Sequence, residues 1–392
     1  MIPRPEPQLI ARLQGFGTTI FSEMTALAIA HDAVNLGQGF PDEDPPAAMV
    51  EAAAQAMRAG HNQYAPGPGV PALRQAVADH QKRFHGLDHD PDTEVTVTFG
   101  ATEAMAASLL ALCEVGDEVI VLEPTYDAYT AIITLAGAVE VRVPLRPPHF
   151  TLDLDALAAA ITPRTRAMVL NTPHNPTGTV LLPDELDTIA ALCVENDVIA
   201  LTDEVYEHLV YDGRHVPLAT RPGMRERTVT ISSAGKTFSC TGWKTGWACA
   251  APPLTRALRT TKQFLSFAGG TPLQHAVAVG LGAEDAVYDG VRERHRRRRD
   301  LVVDRLLAAD LPVHRPAGGY FVTLDVAALG HDDGETFCRW APEALGVAAV
   351  PVSAFVRDPG PVRTLVRLAI CKPDAVLEEG LDRLLRAREH RP

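Results

Sequence analysis

The sequence predicts an α/β protein, with a mostly parallel seven-stranded sheet in a three-layer α/β/α arrangement, followed by a smaller α+β domain. Three observations carry this expectation. Short apolar runs of strand character alternate with helical patterns from Glu94 onward, which is the signature of a parallel sheet covered on both faces. At 392 residues the chain exceeds what one hydrophobic core usually supports, so two domains are expected. The region after residue 310 breaks the alternation and mixes strands with helices in another order.

Taken in order, a helical pattern around Phe21 to Ala30 leads to Val34-Asn35-Leu36-Gly37-Gln38-Gly39-Phe40-Pro41-Asp42, a short strand entering a glycine turn. The turn fails as a dinucleotide fingerprint. Its third glycine is missing, and Pro41, Pro45 and Pro46 stand where the phosphate-binding helix should begin. Helices are expected over Pro46 to Ala59 and Pro71 to Phe84, separated by the Gly/Pro-rich stretch Asn62 to Gly69, which carries Tyr64. Seven strands are then expected at 94–99, 118–122, 139–143, 167–170, 198–202, 229–232 and 247–250, with helical patterns at 101–112, 125–136, 183–195 and 255–266. A helix from Pro272 through Leu307 is expected to bridge the two domains, with a break near Gly282 or Gly290. Strands at Tyr320 to Leu324 and Thr364 to Ile370 complete the chain's regular structure.

The bulk composition excludes several classes of function. A 46% hydrophobic and 22% charged chain is an ordinary globular one. Its net charge of −13 argues against a general binder of nucleic acid or of an anionic membrane. The one basic run, Arg292 to Arg299, reads as a solvated helix face. Six cysteines form no CxxC pair and no ligand cluster with the histidines, so neither a disulfide framework nor a metal is expected. The N-terminal stretch lacks the apolar core of a signal peptide, and no later stretch reaches the ~18 apolar residues of a membrane helix. A cytoplasmic location is expected.

Five lysines against 31 arginines make each lysine informative. Lys236 follows an apolar strand and the small residues Ser232, Ser233, Ala234 and Gly235, with Lys244 eight positions on. It is either a surface lysine in a Ser/Gly turn or the primary amine of a Schiff base, which a guanidinium cannot supply. Pyridoxal phosphate is the usual partner of such an amine. Other strand ends carry groups that could hold that cofactor. Gly100-Ala101-Thr102-Glu103 opens a helix, as an anion site or a plain cap. Tyr126 follows the next strand, as a ring stacked on the cofactor or as a core aromatic. Asn171 to Gly178 (NTPHNPTG) is a rigid polar loop in which Asn175 could donate to the cofactor's phenolic oxygen. Asp203 ends an apolar strand, where a protonated pyridine nitrogen or a structural ion pair would compensate it, and Tyr206 lies three residues on.

These residues resemble the class I/II fold-type I pyridoxal-phosphate aminotransferases, most closely the kynurenine, glutamine and methionine aminotransferase branch. The motifs are TIFSEMTALA (19–28), NLGQGFPDEDPP (35–46), NQYAPGPGVPALR (62–74), NTPHNPTG (171–178), TDEVYEHLVY (202–211), SSAGKTFSCTGWKTGW (232–247) and VRLAICK (366–372). The resemblance implies Lys236 as the Schiff-base lysine and the acid/base that moves the substrate α-proton to the cofactor's C4′. It places Asp203 on the pyridine nitrogen, Asn175 and Tyr206 on the phenolic oxygen, and Tyr126 on the ring face. Ala101, Thr102, Ser233 and Lys244 would hold the phosphate, with Tyr64 reaching it from the neighbouring subunit of a homodimer. Arg367 would clamp the substrate α-carboxylate, near Asn175 and the Gly39 backbone. Two residues depart from common members: Lys244 stands where many have arginine, and Tyr126 where many have phenylalanine.

The implied division is an N-terminal segment, 1–45, packing with the small domain, a cofactor-binding domain, 46–285, and a small domain, 286–392. The implied activity is a ping-pong transfer of the amino group of an L-amino acid to a 2-oxo acid. With no second arginine marked for a side-chain carboxylate, the expected substrate is neutral and bulky, aromatic or thioether, such as methionine, glutamine, phenylalanine or kynurenine. Phe16, Phe40, Phe267 and Phe355 are the expected residues around its side chain. A carbon–sulfur β-lyase acting on cysteine conjugates is the alternative on the same site. A non-catalytic regulator is the alternative from another class, disfavoured by the acidic chain and by the ~20 residues before the first motif.

Overall fold

The computed structural model describes residues 9–389. The chain opens with α1 (Ile20–Ala30), capped by the Thr19 hydroxyl accepting from the Ser22 amide, and the two-residue strand β1 (Val34–Asn35). Then come α2 (Ala47–Arg58) and α3 (Pro71–His85). Pro71 starts α3 where its missing N–H costs nothing, and Gly86 ends it in the left-handed region at φ 71°.

The alternating section follows. It runs β2 (Val95–Phe99), α4 (Gly100–Leu112), β3 (Glu118–Glu123), α5 (Asp127–Ala136), β4 (Val139–Pro144), α6 (Leu154–Ala160), β5 (Thr165–Asn171), α7 (Pro183–Glu195) and β6 (Ile199–Asp203). It continues through β7 (Thr228–Ser233), the single turn α8 (Ala234–Thr237), β8 (Thr245–Ala250) and α9 (Pro252–Leu265). The seven expected strands form one sheet in the order β2-β8-β7-β6-β5-β3-β4. Only β8 runs against its neighbours, β7 and β2; every other pair is parallel. Successive residues of a strand face opposite sides, and β3 shows both sides apolar: Val119 and Val121 pack with α4 and α5, Ile120 and Leu122 with α7.

This topology sets the site. The carboxyl ends of β2, β3, β5, β6 and β7 open on one edge of the sheet, and reversed β8 begins there. Ligands of open α/β sheets bind at that edge.

The expected long bridging helix is two helices, α10 (Thr271–Leu281) and α11 (Asp285–Ala308). The break is at Gly282 to Glu284; Gly290 stays helical, and a Cβ there would meet nothing within 4 Å. The basic run of α11 is a solvated face only in part: Arg292, Glu293 and Arg297 are exposed as expected, and its other side corrects the expectation. His295, Arg298 and Arg299 are buried, because the helix turns every third or fourth residue inward beside Val291 and Val302. Arg298 Nε donates to Asp374 Oδ1 (2.8 Å) and its Nη2 to Glu43, while Arg299 Nη1 donates to Asp212 (2.9 Å) and to the Pro316 carbonyl (3.1 Å). Paired charges of this kind tie the N-terminal stretch, α11 and the C-terminal stretch together.

The C-terminal region holds β9 (Phe321–Asp325), α12 (Gly334–Ala344), β10 (Val347–Ala348), β11 (Val350–Pro351), β12 (Leu365–Ala369) and α13 (Asp374–Leu385). Strands β11, β12 and β9 form an antiparallel sheet, and β10 pairs in parallel with β1. Met24 and Leu36 from the start of the chain are buried in the same cluster as Val322, Phe337, Val366 and Leu381. No described helix is long and apolar enough to cross a membrane.

Candidate active site

At the carboxyl edge of the large sheet lies a cavity of about 330 Å³, within the size range of small-molecule sites. Lys236 enters it from α8. Its Nζ donates to the Gly39 carbonyl (3.2 Å) and sits 5.9 Å and 5.6 Å from the ring centres of Tyr206 and Tyr320. Burial pushes the amine down to about 8, and the nearby Arg367 and Lys244 charges act in the same direction against Cys371 and Asp203. A lysine so placed gives up its proton far more readily than one in water. The Gly39 carbonyl, which also accepts from the Tyr320 hydroxyl (2.7 Å), comes close because residue 39 is glycine: a Cβ there would stand 2.5 Å from the Phe321 ring.

Asp203, 8% exposed, ends β6 with its carboxylate in the cavity. Burial raises its pKa, opposed by the Tyr129 hydroxyl, which donates to Oδ2 (2.6 Å), and by the Val205 amide on Oδ1 (3.3 Å). Its backbone carbonyl accepts from Asn171 Nδ2 (2.9 Å), and Asn171 Oδ1 accepts from the Asn175 amide (2.7 Å). The asparagines of the 171–178 loop thus brace each other and the end of β6. Tyr206 is buried with its phenol pushed far up by desolvation, so it stays a donor; burial lifts Tyr126 to about 12.

Arg367 projects from β12 and is 1% exposed. Nη1 donates to Asn175 Oδ1 (2.9 Å) and Nη2 to the Gly37 carbonyl (2.7 Å), with the guanidinium 4.0 Å from the Phe321 ring centre and between Phe21 and Phe355. Nε has no hydrogen-bond partner. Burial lowers this group to about 10, so it remains cationic at neutral pH, facing the cavity with donor capacity unspent.

The opposite wall is built from Gly100, Ala101 and Thr102 at the start of α4, with Ser233, Lys244 and Thr245 beside them. First-turn amides have no intrahelical acceptor and favour an anion. Close approach depends on two glycines. A Cβ on Gly100 would lie 3.2 Å from Lys244 Nζ, and one on Gly246 would lie 2.6 Å from the Gly100 carbonyl carbon. Lys244 itself sits in the left-handed region at φ 51°, which turns its side chain back toward this helix start.

Of the residues singled out by sequence, Gly39, Ala101, Thr102, Tyr126, Asn175, Asp203, Tyr206, Ser233, Lys236, Lys244 and Arg367 all line this cavity. Tyr64 does not. It is 83% exposed and meets Phe267 edge-on at 5.5 Å. Of the four phenylalanines, Phe40 lines the cavity, Phe355 packs behind Arg367, and Phe16 and Phe267 are not among its walls. Sequence reasoning assigned no role to Tyr129, Tyr320, Phe21 or Phe321. Tyr129 sits in an apolar helix, where only its place one turn after Tyr126 hints at a site.

The donor set fits pyridoxal phosphate: an anion site of helix amides and a lysine, a buried carboxylate for a protonated ring nitrogen, and an amine of lowered pKa in one cavity. Comparison with known proteins agrees. Residues 31–384 match the family model described as aminotransferase class I and II. The chain is 50% identical over 387 residues to the Mycobacterium tuberculosis protein named "Probable N-succinyldiaminopimelate aminotransferase DapC", covering 96% of this chain and 97% of that one. It is 41% identical over 375 residues to the methionine aminotransferase of Escherichia coli, covering 95% and 97%. The solved structure of N-succinyldiaminopimelate aminotransferase from M. tuberculosis superposes with a TM-score of 0.95 at 50% identity, covering 97% of this chain and 100% of that one. With the match running through every strand end that builds the cavity, this chain belongs to the class I and II aminotransferases and is a pyridoxal-phosphate-dependent enzyme.

Proposed function

We propose that this aminotransferase takes its amino group from a neutral, bulky L-amino acid, aromatic or thioether, and passes it to a 2-oxo acid in two half-reactions. The observation that carries this is the cavity's cation inventory. Among the described residues the cavity holds one guanidinium, Arg367, with Phe21 and Phe321 against it and with Phe40 and Tyr126 elsewhere in the walls. One arginine matches the α-carboxylate that every amino acid has; the aromatic walls suit a side chain without charge.

In this reading Lys236 holds the cofactor covalently between turnovers. Asp203 would hold its ring nitrogen, Asn175 and Tyr206 its phenolic oxygen, Tyr126 its ring face, and Ala101, Thr102, Ser233 and Lys244 its phosphate. The bound cofactor supplies an electron sink for the carbanion left when the substrate loses its α-proton. Arg367, with Asn175 and the Gly39 backbone, fixes the substrate by its carboxylate so that the α-hydrogen meets Lys236. The lysine takes the proton from the α-carbon as a free amine and returns it at C4′ as an ammonium. Its lowered pKa suits it to both directions near neutral pH.

Two copies are proposed to pair, with Tyr64 reaching the phosphate of the neighbouring site; its exposure in the single chain supports this. The division into 46–285 and 286–392, with 1–45 joined to the latter, is supported by the separate sheets and by the packing of α1 and β1. A cytoplasmic location is supported by six free thiols.

A second reading is favoured by the 50% identity to DapC: N-succinyldiaminopimelate as the amino substrate. Single-turnover assays without acceptor decide among these. The neutral-substrate reading expects one 2-oxo acid per site from methionine, glutamine, phenylalanine or kynurenine, and sustained turnover only after a 2-oxo acid is added. Much higher kcat/KM for N-succinyldiaminopimelate would replace it. Continuous pyruvate and ammonia from a cysteine conjugate without acceptor would reveal β-lyase chemistry.

A further inference from the structure

Outside the cavity, α3 and the turn that follows β6 (residues 205–208) bring together side chains that the transamination chemistry does not use. His80 Nε2 on α3 lies 2.7 Å from His208 Nε2 on the turn. One ring nitrogen of each histidine and a carboxylate oxygen of Glu207 all lie within 4.8 Å of one another. None of the three lines the cavity.

We propose that His80, His208 and Glu207 form a divalent metal site, of the two-imidazole, one-carboxylate type that takes Zn²⁺ or a neighbouring first-row cation. Two imidazole nitrogens on a tetrahedral zinc stand about 3.3 Å apart, so the pair needs to open by only about half an ångström. The supporting groups fit. Glu207 Oε1 accepts from the Ser232 hydroxyl (2.6 Å), and Oε2 contacts His85 Nε2 (2.6 Å), which leaves each oxygen a lone pair and fixes the carboxylate. Phe84 and Tyr288 pack against both rings, keeping the surroundings apolar. His208 is only partly buried, which gives an ion a way in. The metal is structural: it ties α3 to the turn that carries Tyr206 and follows Asp203, both of which face the cofactor cavity.

The test uses holoenzyme freed of unbound cofactor and stripped with a chelator. Zn²⁺ and Co²⁺ are titrated by calorimetry, and zinc-loaded protein is studied by X-ray absorption. Expected are one tight site per chain, the ligand-field spectrum of four- or five-coordinate Co²⁺, and a nitrogen/oxygen shell containing two imidazoles. His208→Gln, at a partly exposed position, should weaken binding by at least about 100-fold. His149→Gln should leave it unchanged; that residue forms an exposed histidine pair with His314 (3.2 Å), another place where a cation could be caught. Failure of wild-type protein to bind stoichiometrically overturns the proposal, as do a sulfur shell and unchanged binding in His208→Gln. Loss of binding in His149→Gln would assign the ion to the surface pair and also overturn it.

Discussion

Of the three cations that face the cavity, Lys236 and Arg367 are both discouraged by burial, yet they are held in different ways. Arg367 is fixed: two hydrogen bonds, one of them to a loop residue that is itself braced, and an aromatic face at 4.0 Å. Lys236 has one hydrogen bond, at 3.2 Å. A group that only binds gains from being preorganised, because the ordering cost is met during folding. A group that must move a proton between two atoms needs freedom, and four methylenes with a single tether provide it. The difference teaches which cation belongs to recognition and which to chemistry.

Removing the mobile amine should have the largest effect. Lys236→Ala is expected to lower kcat by at least about 10⁴-fold while the protein still takes up pyridoxal phosphate noncovalently, measured by stopped-flow turnover and cofactor content. Near-normal turnover would erase the distinction between the two cations. Arg367→Lys should come next, with a loss of about 10²- to 10³-fold in kcat/KM carried mainly by KM, since one ammonium cannot serve Asn175, the Gly37 carbonyl and a carboxylate together. A fall in kcat at unchanged KM would mean that the fixed cation takes part in the chemical step.

The lowered pKa of Lys236 also makes a statement about apoprotein stability. The group carries its proton less readily when folded than when unfolded, so the unfolded chain binds more protons between about pH 8 and about pH 10.5. Stability from this residue is therefore present above the unfolded value and lost as the pH falls through about 8. Against Lys236→Met, wild-type apoprotein should gain up to about 3 kcal/mol across that window in denaturant titrations. A flat difference would show that the amine is solvated like any surface lysine.

The same contrast explains what was legible in the sequence. The seven strands could be read because parallel strands buried on both faces are uninterrupted apolar runs, as in Val119 to Leu122. The groups ending them could be read because a polar residue there breaks the run: Asn171, Asp203 and Ser233 stand out against their neighbours. What escaped depends on faces and on distant pairing. Arg298 and Arg299 lie in a basic run whose inward side only the helix phase defines. The two-residue strands β1 and β10 have no pattern of their own and exist because they find each other. Their pairing joins Val34 to Val347, a separation that local propensity does not encode. His80 and His208 are 128 residues apart, so spacing could not suggest a ligand set.

Tyr129 is the residue whose omission matters most for chemistry, and it supplies the smallest of the predicted effects. Its hydroxyl gives Asp203 a hydrogen bond of 2.6 Å, which stabilises the carboxylate against the desolvation that raises its pKa. Tyr129→Phe keeps the ring and its edge-on contact with Tyr126 and removes only the donor. A hydrogen bond to a charged group is worth about 1.5–3 kcal/mol in a buried setting, part of which water entering the cavity would restore. The expected result is a loss of about tenfold in kcat, with KM little changed and cofactor retained, because Asp203 becomes easier to protonate and its charge less available to a ring nitrogen. The loss should grow as the pH is lowered, since a carboxylate deprived of its donor takes up a proton at a higher pH than in wild type. A pH-independent loss with rising KM would instead place Tyr129 in packing beneath Tyr126, leaving Asp203 to be held by the backbone of its own turn.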